Sequence, residues 1–487
     1  MNIDSDLLSI QEVRDKLGIA KRAQVILEQM TQSEVDEIVW KMSEAGVREA
    51  KELARMAVHE TGFGNIQDKE TKNLFAAKHV YEAIKDIKTV GIISEDLEKM
   101  IWEISEPVGV IAGIIPSTNP TSTIIFKAII AIKARNAIVF SPHPNAQKCS
   151  CKAAEIMQNA AASAGAPEGI IQCLEYTSLQ ASNELMTHSQ TDLILATGGP
   201  SMVKAAYSSG KPAYGVGPGN VPVYVHISAD VSDAARKIVE SKSFDFGTIC
   251  ASEQAIVVDE EIKVKLKNEL ERHYAYFLNN QEKERVAAII QNNNGLNPEI
   301  VGRSPQRLGE MAGIEIPKNT TVLVGEEEEV SNHTPFSIEK LSPILALYTV
   351  KDWQEGCEIC KKLLDLGGLG HTLGIHAKED EVIREFALKK PASRIIVNSG
   401  TTFGAIGSTT GIFPSLTLGC GTYGNNISSD NIGPEHLMNI KRVAFGIREM
   451  NNTHIQEMIS EEKINEQGVN EEEIRKIVIG ILNQLKN

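Results

Sequence analysis

The segment Ser241–Gln254, SKSFDFGTICASEQ, contains a cysteine that is a candidate nucleophile. Gly247 and Thr248 stand just ahead of Cys250 and are small enough to let a ligand approach the backbone. A thiolate is intrinsically reactive, and a free thiol is already partly ionised near neutral pH. Free cysteines are also commonly buried as small hydrophobic side chains, so this window alone leaves both interpretations open.

Further turns follow apolar strand patterns, at the carboxyl ends where an open parallel sheet binds its ligands. Asn119 lies in the first of them and offers an amide donor, although a plain turn asparagine between two prolines is the alternative. The turns are Pro116–Thr121 (PSTNPT), Phe140–Pro144 (FSPHP), Ala196–Pro200 (ATGGP) and the glycine-rich Gly215–Asn220 (GVGPGN). No G-x-G-x-x-G fingerprint stands at these strand ends, so an ordinary dinucleotide fold is only weakly indicated.

Two other cysteines have a spacing that requires an interpretation. Cys357 and Cys360 are spaced as a C-x-x-C zinc ligand pair, but no second pair follows and they lie in a helical pattern. We therefore expect both in a helix facing the core, and no metal site.

Strand and helix patterns alternate along the chain, which predicts parallel, doubly wound α/β domains around these turns. Residues 10 to about 90 are predicted to be helical, with Ser33 as an N-cap. The next predicted strands are Ala137–Phe140, Ile170–Leu174, Leu193–Ala196, Val221–Val225 and Ala255–Val258, with helices near 122–134, 146–164, 178–188, 199–209 and 229–241. Later helices are predicted near 261–278, 281–290 and 351–364, and later strands at Thr320–Val324, Ile344–Val350, Thr372–His376 and Arg394–Val397.

The long stretch 399–433 is rich in Gly, Ser and Thr but contains apolar residues that require burial. We expect it to be ordered on the strength of Phe403, Phe413, Leu416 and Leu418. Beyond Met450 the chain is polar, and from Val469 to Leu485 it has an amphipathic helical pattern opened by Asn470 and Glu473. That helix packs on its own protein or docks to a partner.

Bulk composition excludes some classes of function. Of the 487 residues, 42% are hydrophobic. The net charge of −15 argues against a nucleic-acid ligand, because binding to phosphates needs a basic surface. Seven cysteines without framework spacing indicate a reducing compartment. An acidic N-terminal segment and the absence of an 18-residue apolar run predict a cytoplasmic protein without a membrane span.

The order of the motifs STNPTST, FSPHP, ATGGPS, YGVGPGN, FDFGTICASEQ, EKLSP, LGHT and TLGCG resembles the aldehyde dehydrogenase superfamily. More narrowly, it resembles the CoA-acylating branch, including the aldehyde dehydrogenase half of bifunctional aldehyde–alcohol dehydrogenases. The resemblance spans about residues 10–448. It implies a cofactor domain (1–240, rejoined by 421–448), a catalytic domain (241–420), oligomerisation strands (101–106 and 440–446), and a linker with an amphipathic helix (449–487).

The resemblance also implies roles for individual residues. Cys250 matches the nucleophile and Asn119 the oxyanion-hole asparagine, while His371 matches an active-site histidine of the acylating branch. Glu339 matches the glutamate that holds the nicotinamide ribose. The remaining cofactor-binding positions are expected to be Ile115, Pro116, Ser117, Thr118, Ser141, His143, Thr197, Gly198, Gly199, Gly217 and Gly419.

One departure selects the branch. Hydrolytic members have a glutamate in an E-L-G-G turn that activates water, whereas the matching turn here, Gly215–Asn220, has no carboxylate. The resemblance therefore implies NAD-dependent, CoA-acylating oxidation of acetaldehyde or propionaldehyde, with succinate semialdehyde and sulfoacetaldehyde as alternative substrates. Ser141 stands where hydrolytic members place a ribose-binding lysine, which leaves NADP as an alternative to NAD.

The remaining predictions concern the oligomeric state and the alternative classes of protein. The resemblance implies a dimer or a tetramer of dimers, and its microcompartment members carry a terminal amphipathic helix that docks to a shell. A glutamyl-phosphate-type reductase and a non-catalytic structural protein of the same fold are the alternative classes. Dependence on CoA separates the first from an acylating enzyme, and retention of Cys250 and Asn119 argues against the second.

Overall fold

The computed structural model describes residues 5–292, 295–448 and 470–485. The described residues of 1–93 and 104–441 form a large unit, and those of 94–103 and 442–487 form a small one. None of the helices in this described part of the chain is long and apolar enough to cross a membrane.

The elements are numbered here in chain order. The helices are α1 Ser5–Glu28, α2 Gln32–Thr61, α3 Ile66–Leu74, α4 Val80–Ile84, α5 Pro120–Lys133, α6 Gln147–Ser163, α7 Leu179–Thr187, α8 Pro200–Ser208, α9 Val231–Ser243, α10 Glu260–Arg272, α11 Asn280–Ile290, α12 Pro305–Ala312, α13 Trp353–Asp365, α14 Asp380–Leu388, α15 Thr401–Ala405 and α16 Glu471–Gln484. The strands are β1 Gly91–Asp96, β2 Ile101–Pro107, β3 Val110–Ile115, β4 Ala137–Pro142, β5 Ile171–Cys173, β6 Leu193–Thr197, β7 Ala213–Val216, β8 Val221–Val225, β9 Glu253–Asp259, β10 Ala275–Phe277, β11 Gln291–Asn292, β12 Gly295–Leu296, β13 Val322–Glu326, β14 Ile344–Val350, β15 Gly370–His376, β16 Ala392–Val397 and β17 Met438–Ala444.

The predicted helical N-terminal region is confirmed, with one corrected cap. Helix α2 begins after Thr31, whose side chain accepts from the Glu34 N–H while Glu34 reaches back to the Thr31 N–H. This reciprocal box satisfies two backbone donors, which a cap at Ser33 would leave unpaired. The helix ends at Thr61, and Gly62 caps it with φ 69°.

A five-stranded parallel sheet, in the order β5-β4-β3-β6-β7, carries three of the chemistry-bearing turns. Its central strand β3 pairs with β4 on one side and β6 on the other. The carboxyl ends of these three strands therefore meet at one edge, as predicted for a doubly wound sheet. Strand β3 is buried throughout, which explains why its sequence reads as a continuous apolar run.

The second large sheet is parallel and has seven strands, in the order β10-β13-β14-β9-β8-β15-β16. Strand β8 pairs with β9 and β15 in this sheet, so the predicted domain boundary after residue 240 is too late. The chain crosses between sheets in the glycine-rich turn before Val221. A parallel strand buried on both faces has the same apolar pattern in either sheet, so the pattern did not reveal the crossing.

Local patterns failed at a few further places. The predicted helix near 261–278 ends at Arg272, where Tyr274 turns the chain at φ 67° into strand β10. Strands β1 and β7 and helices α12 and α14 were not predicted. The core prediction for Cys357 and Cys360 is confirmed, because both are buried on α13.

The stretch 399–433 is ordered, as predicted, and leads the chain back to the first sheet. Leu418 is buried, and the Ile432 N–H donates to the Thr417 carbonyl. The Leu437 side chain joins the core around the five-stranded sheet, and Asn136 donates to its carbonyl over 2.9 Å.

A three-stranded sheet has the order β1-β2-β17. Within the small unit, the Trp102 and Phe445 rings meet edge to face at 5.0 Å and Arg442 pairs with Glu103 at 2.9 Å. Helix α16 begins at the predicted N-cap Asn470, whose side chain accepts from the Glu472 N–H. The predicted linker and Val469 lie outside the described residues.

Candidate active site

Cys250 lies in the loop that joins α9 to β9. Three successive residues ahead of it, Asp245, Phe246 and Gly247, have left-handed backbone with φ of 47°, 52° and 72°. Such conformations cost free energy for residues other than glycine and persist only where surrounding contacts hold them. Cys250 as a residue is partly exposed. Burial of its thiol group and the Glu339 carboxylate raise the pKa of the thiol to about 12.

His371, at the start of β15, contacts the candidate nucleophile. Its Nε2 lies 3.3 Å from the Cys250 Sγ, and its Nδ1 lies 3.0 Å from the Thr372 Oγ1. Burial and the nearby Arg394 charge lower the His371 pKa to about 3, so the imidazole is neutral at pH 7. In the tautomer that donates from Nδ1 to Thr372, the Nε2 lone pair faces the thiol and can accept its proton.

Arg394 on β16 was not predicted from the sequence, yet it supports the histidine. Its guanidinium donates to the His371 carbonyl over 3.1 Å and to the Gly419 carbonyl over 2.7 Å. Since the side chain is buried and makes several such bonds, Arg394 ties the start of β15 to the 415–431 segment. Its charge also opposes the rise in the Cys250 pKa.

Asn119 precedes α5, and its amide lies beside the Cys250 loop. The Nδ2 donates to the Thr248 carbonyl over 3.2 Å and to the Thr118 Oγ1 over 3.1 Å. The Oδ1 accepts from the Lys72 Nζ over 2.5 Å, which fixes the orientation of the amide. The N–H₂ group is therefore held against the Cys250 loop, and it must exchange one of these two bonds to donate to a substrate oxyanion.

A buried charged cluster, defined as Lys69, Lys72 and Asp245, holds this loop in place. The Lys72 Nζ contacts the Asp245 carboxylate and donates to the Thr248 Oγ1 over 2.9 Å. The Lys69 Nζ donates to the same carboxylate and to the Thr118 carbonyl, both over 2.9 Å. Burial lowers the Lys72 pKa to about 8 despite the carboxylate. The cluster connects α3 to the strained backbone at Asp245 and Phe246. No sequence motif in α3 predicted it.

Glu339 lies in the loop before β14 and reaches the glycine-rich turn. Its Oε1 accepts from the Gly219 N–H over 2.9 Å, and burial raises its pKa to about 7. A side chain built on Gly219 would lie 2.3 Å from the Cys250 carbonyl oxygen, which shows how closely this turn approaches the nucleophile. The turn itself has no carboxylate, but the carboxylate of Glu339, which is distant in the sequence, lies against it.

The predicted cofactor residues Ile115 to Thr118, Ser141, His143, and Thr197 to Gly199 lie at the shared carboxyl edge of β3, β4 and β6. Gly199 precedes α8, whose free N–H groups suit a phosphate. Side chains built on Gly199 or Gly217 would meet no atom within 4 Å, so the surface there is open. The Thr197 Oγ1 is buried without a hydrogen-bond partner in the described residues. These features fit a nicotinamide dinucleotide.

Two predicted cofactor residues are engaged elsewhere. The Ser141 Oγ is buried and hydrogen-bonds the Ser182 Oγ at 2.9 Å, which leaves the exposed His143 as the polar side chain of that turn. The Gly419 N–H donates to Asp430 and its carbonyl accepts from Arg394. Gly419 is therefore a structural position, because neither of its backbone groups is free for a ligand.

Comparison with known proteins identifies the family. The model of the aldehyde dehydrogenase family matches residues 7–417, most of the chain. This chain belongs to the aldehyde dehydrogenase family. The resemblance inferred from the motif order is thereby confirmed, as is the α/β fold.

Individual relatives refine the placement within the aldehyde dehydrogenases. An acetylating aldehyde dehydrogenase from Geobacillus thermoglucosidasius is 64% identical, with a TM-score of 0.91 over 92% of this chain and 99% of the other. The bifunctional aldehyde-alcohol dehydrogenase of Escherichia coli K12 is 44% identical over 90% of this chain and 50% of its own length. The chain thus spans about half the length of such curated relatives.

A more distant solved structure shows the chemistry of one member. A propionaldehyde dehydrogenase from Rhodopseudomonas palustris, with bound CoA and an acylated cysteine, is 26% identical. Its TM-score is 0.81, over 89% of this chain and 97% of the other.

Among the described residues of this aldehyde dehydrogenase fold, no group of three or more potential metal-binding side chains is found. The structure brings together Cys250, His371, Asn119 and Glu339 from four separate segments. Lys72, Asp245 and Arg394 are the residues that sequence reasoning missed. Lys72 and Arg394 lie outside the quoted motifs, and Asp245 lies within FDFGTICASEQ without a recognisable role, so only their burial near Cys250 reveals them.

Proposed function

We propose that this chain oxidises a short aldehyde, acetaldehyde or propionaldehyde, to acyl-CoA through a thioester on Cys250. The observation that carries the proposal is the neutral His371 imidazole, whose Nε2 lies 3.3 Å from the Cys250 Sγ. An uncharged base at this position can take a proton from the cysteine thiol and later from the thiol of CoA.

The first step is addition. As the Cys250 Sγ attacks the aldehyde carbon, its proton passes to the His371 Nε2. The resulting oxyanion accepts from the Asn119 Nδ2 and from the Cys250 N–H. One such donor contributes roughly 10²–10³ in rate.

The second step is oxidation of the hemithioacetal to a thioester. The residues at the carboxyl edge of β3, β4 and β6, with the N–H groups at the start of α8, would hold a nicotinamide cofactor, which would supply the hydride acceptor. We propose NAD as this cofactor. NADP is the alternative to be tested.

The third step is transfer of the acyl group to CoA. His371 has by then released the first proton to solvent, so it accepts the proton of the CoA thiol as the CoA sulfur attacks the thioester carbon. The Cys250 Sγ leaves as a thiolate and regains a proton from His371. Transfer to CoA is favoured over hydrolysis because the glycine-rich turn has no carboxylate of its own. The Gly219 N–H holds the Glu339 carboxylate at this turn, and the family resemblance implies that Glu339 binds the cofactor ribose.

Anionic aldehydes such as succinate semialdehyde and sulfoacetaldehyde are less suited to the site. Arg394 is the buried cation behind His371, but its guanidinium is committed to backbone carbonyls and to Asn431. A substrate carboxylate or sulfonate would have to displace these bonds.

The test is an assay of NADH formation from acetaldehyde and propionaldehyde, with and without CoA, and with NAD or NADP. We expect turnover only when CoA is present, and none for Cys250→Ala. Equal rates without CoA would contradict the acylating assignment, and activity of Cys250→Ala would exclude the proposed nucleophile.

We further propose that the protein is a dimer or a tetramer of dimers, and that α16 docks to the shell of a bacterial microcompartment. The strands β2 and β17 support the first proposal through the family resemblance. For the second, α16 exposes Ile474, Ile477, Val478, Ile481, Leu482 and Leu485 at helical spacing. An exposed apolar stripe of this kind is typical of a helix that binds in a partner's groove.

A further inference from the structure

A pair of thiols with no role in the proposed reaction lies between α6 and β5. The Cys151 Sγ and the Cys173 Sγ are 2.9 Å apart, although the residues are 22 positions apart in the sequence. A disulfide bond is about 2.05 Å long, so the two sulfurs need to approach by only ~0.9 Å to be joined. The pair is reduced in this structure.

The two thiols differ in exposure and in acidity. Cys151 is partly exposed and Cys173 is buried. The hydrogen bond between the two thiols, with help from the Lys16 charge, holds the pKa of Cys151 below its usual value, whereas burial raises the pKa of Cys173. Cys151 is therefore the thiol that ionises and attacks, and Cys173 is the second thiol that follows.

A surface cavity of about 690 Å³ opens onto the pair and gives small reagents access to it. Both cysteines line the cavity, together with Lys16, Gln147 and Lys148. The Lys16 Nζ donates to the Cys173 carbonyl over 2.5 Å and pairs with Glu12 at 3.0 Å and Glu175 at 3.6 Å. The Lys16 charge lowers the Cys151 pKa and the Glu175 charge raises it, and the thiol is reachable from the cavity.

The other cysteines lack this combination of access and acidity. All seven lie in described residues, and only Cys151 and Cys250 are not buried. The Cys250 pKa is raised to about 12, which keeps that thiol protonated. The C-x-x-C pair Cys357 and Cys360, which the sequence made conspicuous, is sealed in the core.

We propose that Cys151 and Cys173 form a reversible thiol–disulfide exchange site that reacts with low-molecular-weight disulfides. The Cys151 thiolate, having lost its proton to solvent, attacks one sulfur of the reagent RSSR; a mixed disulfide forms and one RS⁻ leaves and is protonated. The Cys173 thiol then attacks the Cys151 sulfur, which forms the internal disulfide and releases a second RSH. Two protein thiols are oxidised and one RSSR is reduced to two RSH.

This reaction has a consequence for the catalytic centre. Because Cys151 is more acidic and Cys250 is protonated, a disulfide reagent is consumed at the pair before it reaches the nucleophile. The internal disulfide joins α6 to β5 and touches no residue of the site around Cys250.

The test treats the full-length protein with hydroxyethyl disulfide, a neutral reagent, and follows intact mass and non-reduced peptide maps with time. We expect a product lighter by two hydrogen atoms, with the Cys151 and Cys173 peptides joined, about tenfold faster than any adduct on Cys250. Cys173→Ala should stop at the mixed disulfide on Cys151, and Cys151→Ser should form neither product. Cys360→Ala, the control, should still form the internal disulfide.

Three results would overturn the proposal. They are a first adduct on Cys250, an internal disulfide between Cys357 and Cys360, and a wild-type protein that accumulates a Cys151 adduct without closing onto Cys173. Mapping the wild-type protein decides among these even if a variant folds poorly.

Discussion

Cys250 and His371 meet as neutral groups, and this governs how the nucleophile is activated. The thiol pKa is raised to about 12 and the imidazole pKa is lowered to about 3, so a resting ion pair is disfavoured. The proton moves when the carbonyl carbon accepts the sulfur, as in general-base catalysis. A thiol held protonated until substrate arrives is also protected from other electrophiles.

The first prediction concerns His371. His371→Ala removes the only side chain that hydrogen-bonds the Cys250 Sγ among the described residues. We expect kcat to fall by about 10²–10⁴, the usual contribution of a general base, with little change in the KM for aldehyde. Steady-state kinetics with saturating CoA measure this. An unchanged kcat would show that the proton has another acceptor.

The second prediction concerns Glu339, whose charge raises the Cys250 pKa. Glu339→Gln removes that charge, so alkylation of Cys250 by iodoacetamide should begin at lower pH than in the wild type. Peptide mapping across pH 6–10 measures the profile. Glu328→Gln, at a surface glutamate of the 326–329 run, is the matched control and should leave the profile unchanged.

The same carboxyl group gives a third prediction, on stability. The folded pKa of Glu339 is about 7 against an ordinary 4.5, so between these values the folded protein binds more protons than the unfolded chain. Its contribution to stability therefore falls as pH rises from 4.5 to 7. Between pH 5 and 8, Tm should fall further in the wild type than in Glu339→Gln. Identical differences in Tm would contradict the raised pKa.

At the scale of elements, α3 and the Cys250 loop act as one piece because Lys69 and Lys72 bind Asp245. Removing one member of a buried ion pair strands the partner charge and costs about 3–5 kcal/mol. The same Lys72 also holds the Asn119 amide by its Oδ1. Stability and the oxyanion site thus depend on one side chain.

The fourth prediction follows from this dependence. Lys72→Met should lower Tm and, in the protein that remains folded, reduce kcat by about tenfold or more as the Asn119 amide loses its anchor. Lys78→Met is the matched control, because Lys78 is exposed six residues later in the same helical region. If both variants keep wild-type kcat, Lys72 does not position Asn119.

The fifth prediction tests the approach of the glycine-rich turn to the nucleophile. A Cβ on Gly219 would lie 2.3 Å from the Cys250 carbonyl and 3.1 Å from the His371 ring. Gly219→Ala should therefore displace both residues and lower kcat/KM by at least about tenfold. Gly411→Ala, where a Cβ meets nothing within 4 Å, should retain the wild-type value.

At the scale of the whole molecule, the catalytic residues all lie in the large unit and α16 lies in the small one. Deleting residues 470–487 should therefore leave aldehyde oxidation intact while abolishing co-purification with shell proteins. The comparison is made on full-length and truncated protein expressed with the same shell proteins. Loss of soluble folding on truncation would instead favour a packing role for this helix.

The sequence by itself determined the α/β alternation and the family resemblance, and it predicted the nucleophile. These properties are local: hydrophobic periodicity marks strands and helices, and a motif is a run of neighbouring residues. The order of such motifs located Cys250, Asn119, His371 and Glu339, and the glycine-rich turn without a carboxylate indicated the acylating branch.

Only the tertiary structure decided which distant segments meet. It moved Val221–Val225 into the second sheet, brought the Glu339 carboxylate to Gly219, and buried Lys72 against Asp245. It also placed the thiols of Cys151 and Cys173 next to each other and buried the C-x-x-C pair in the core. These pairings depend on register, burial and electrostatics between residues far apart in the chain, which no local pattern records.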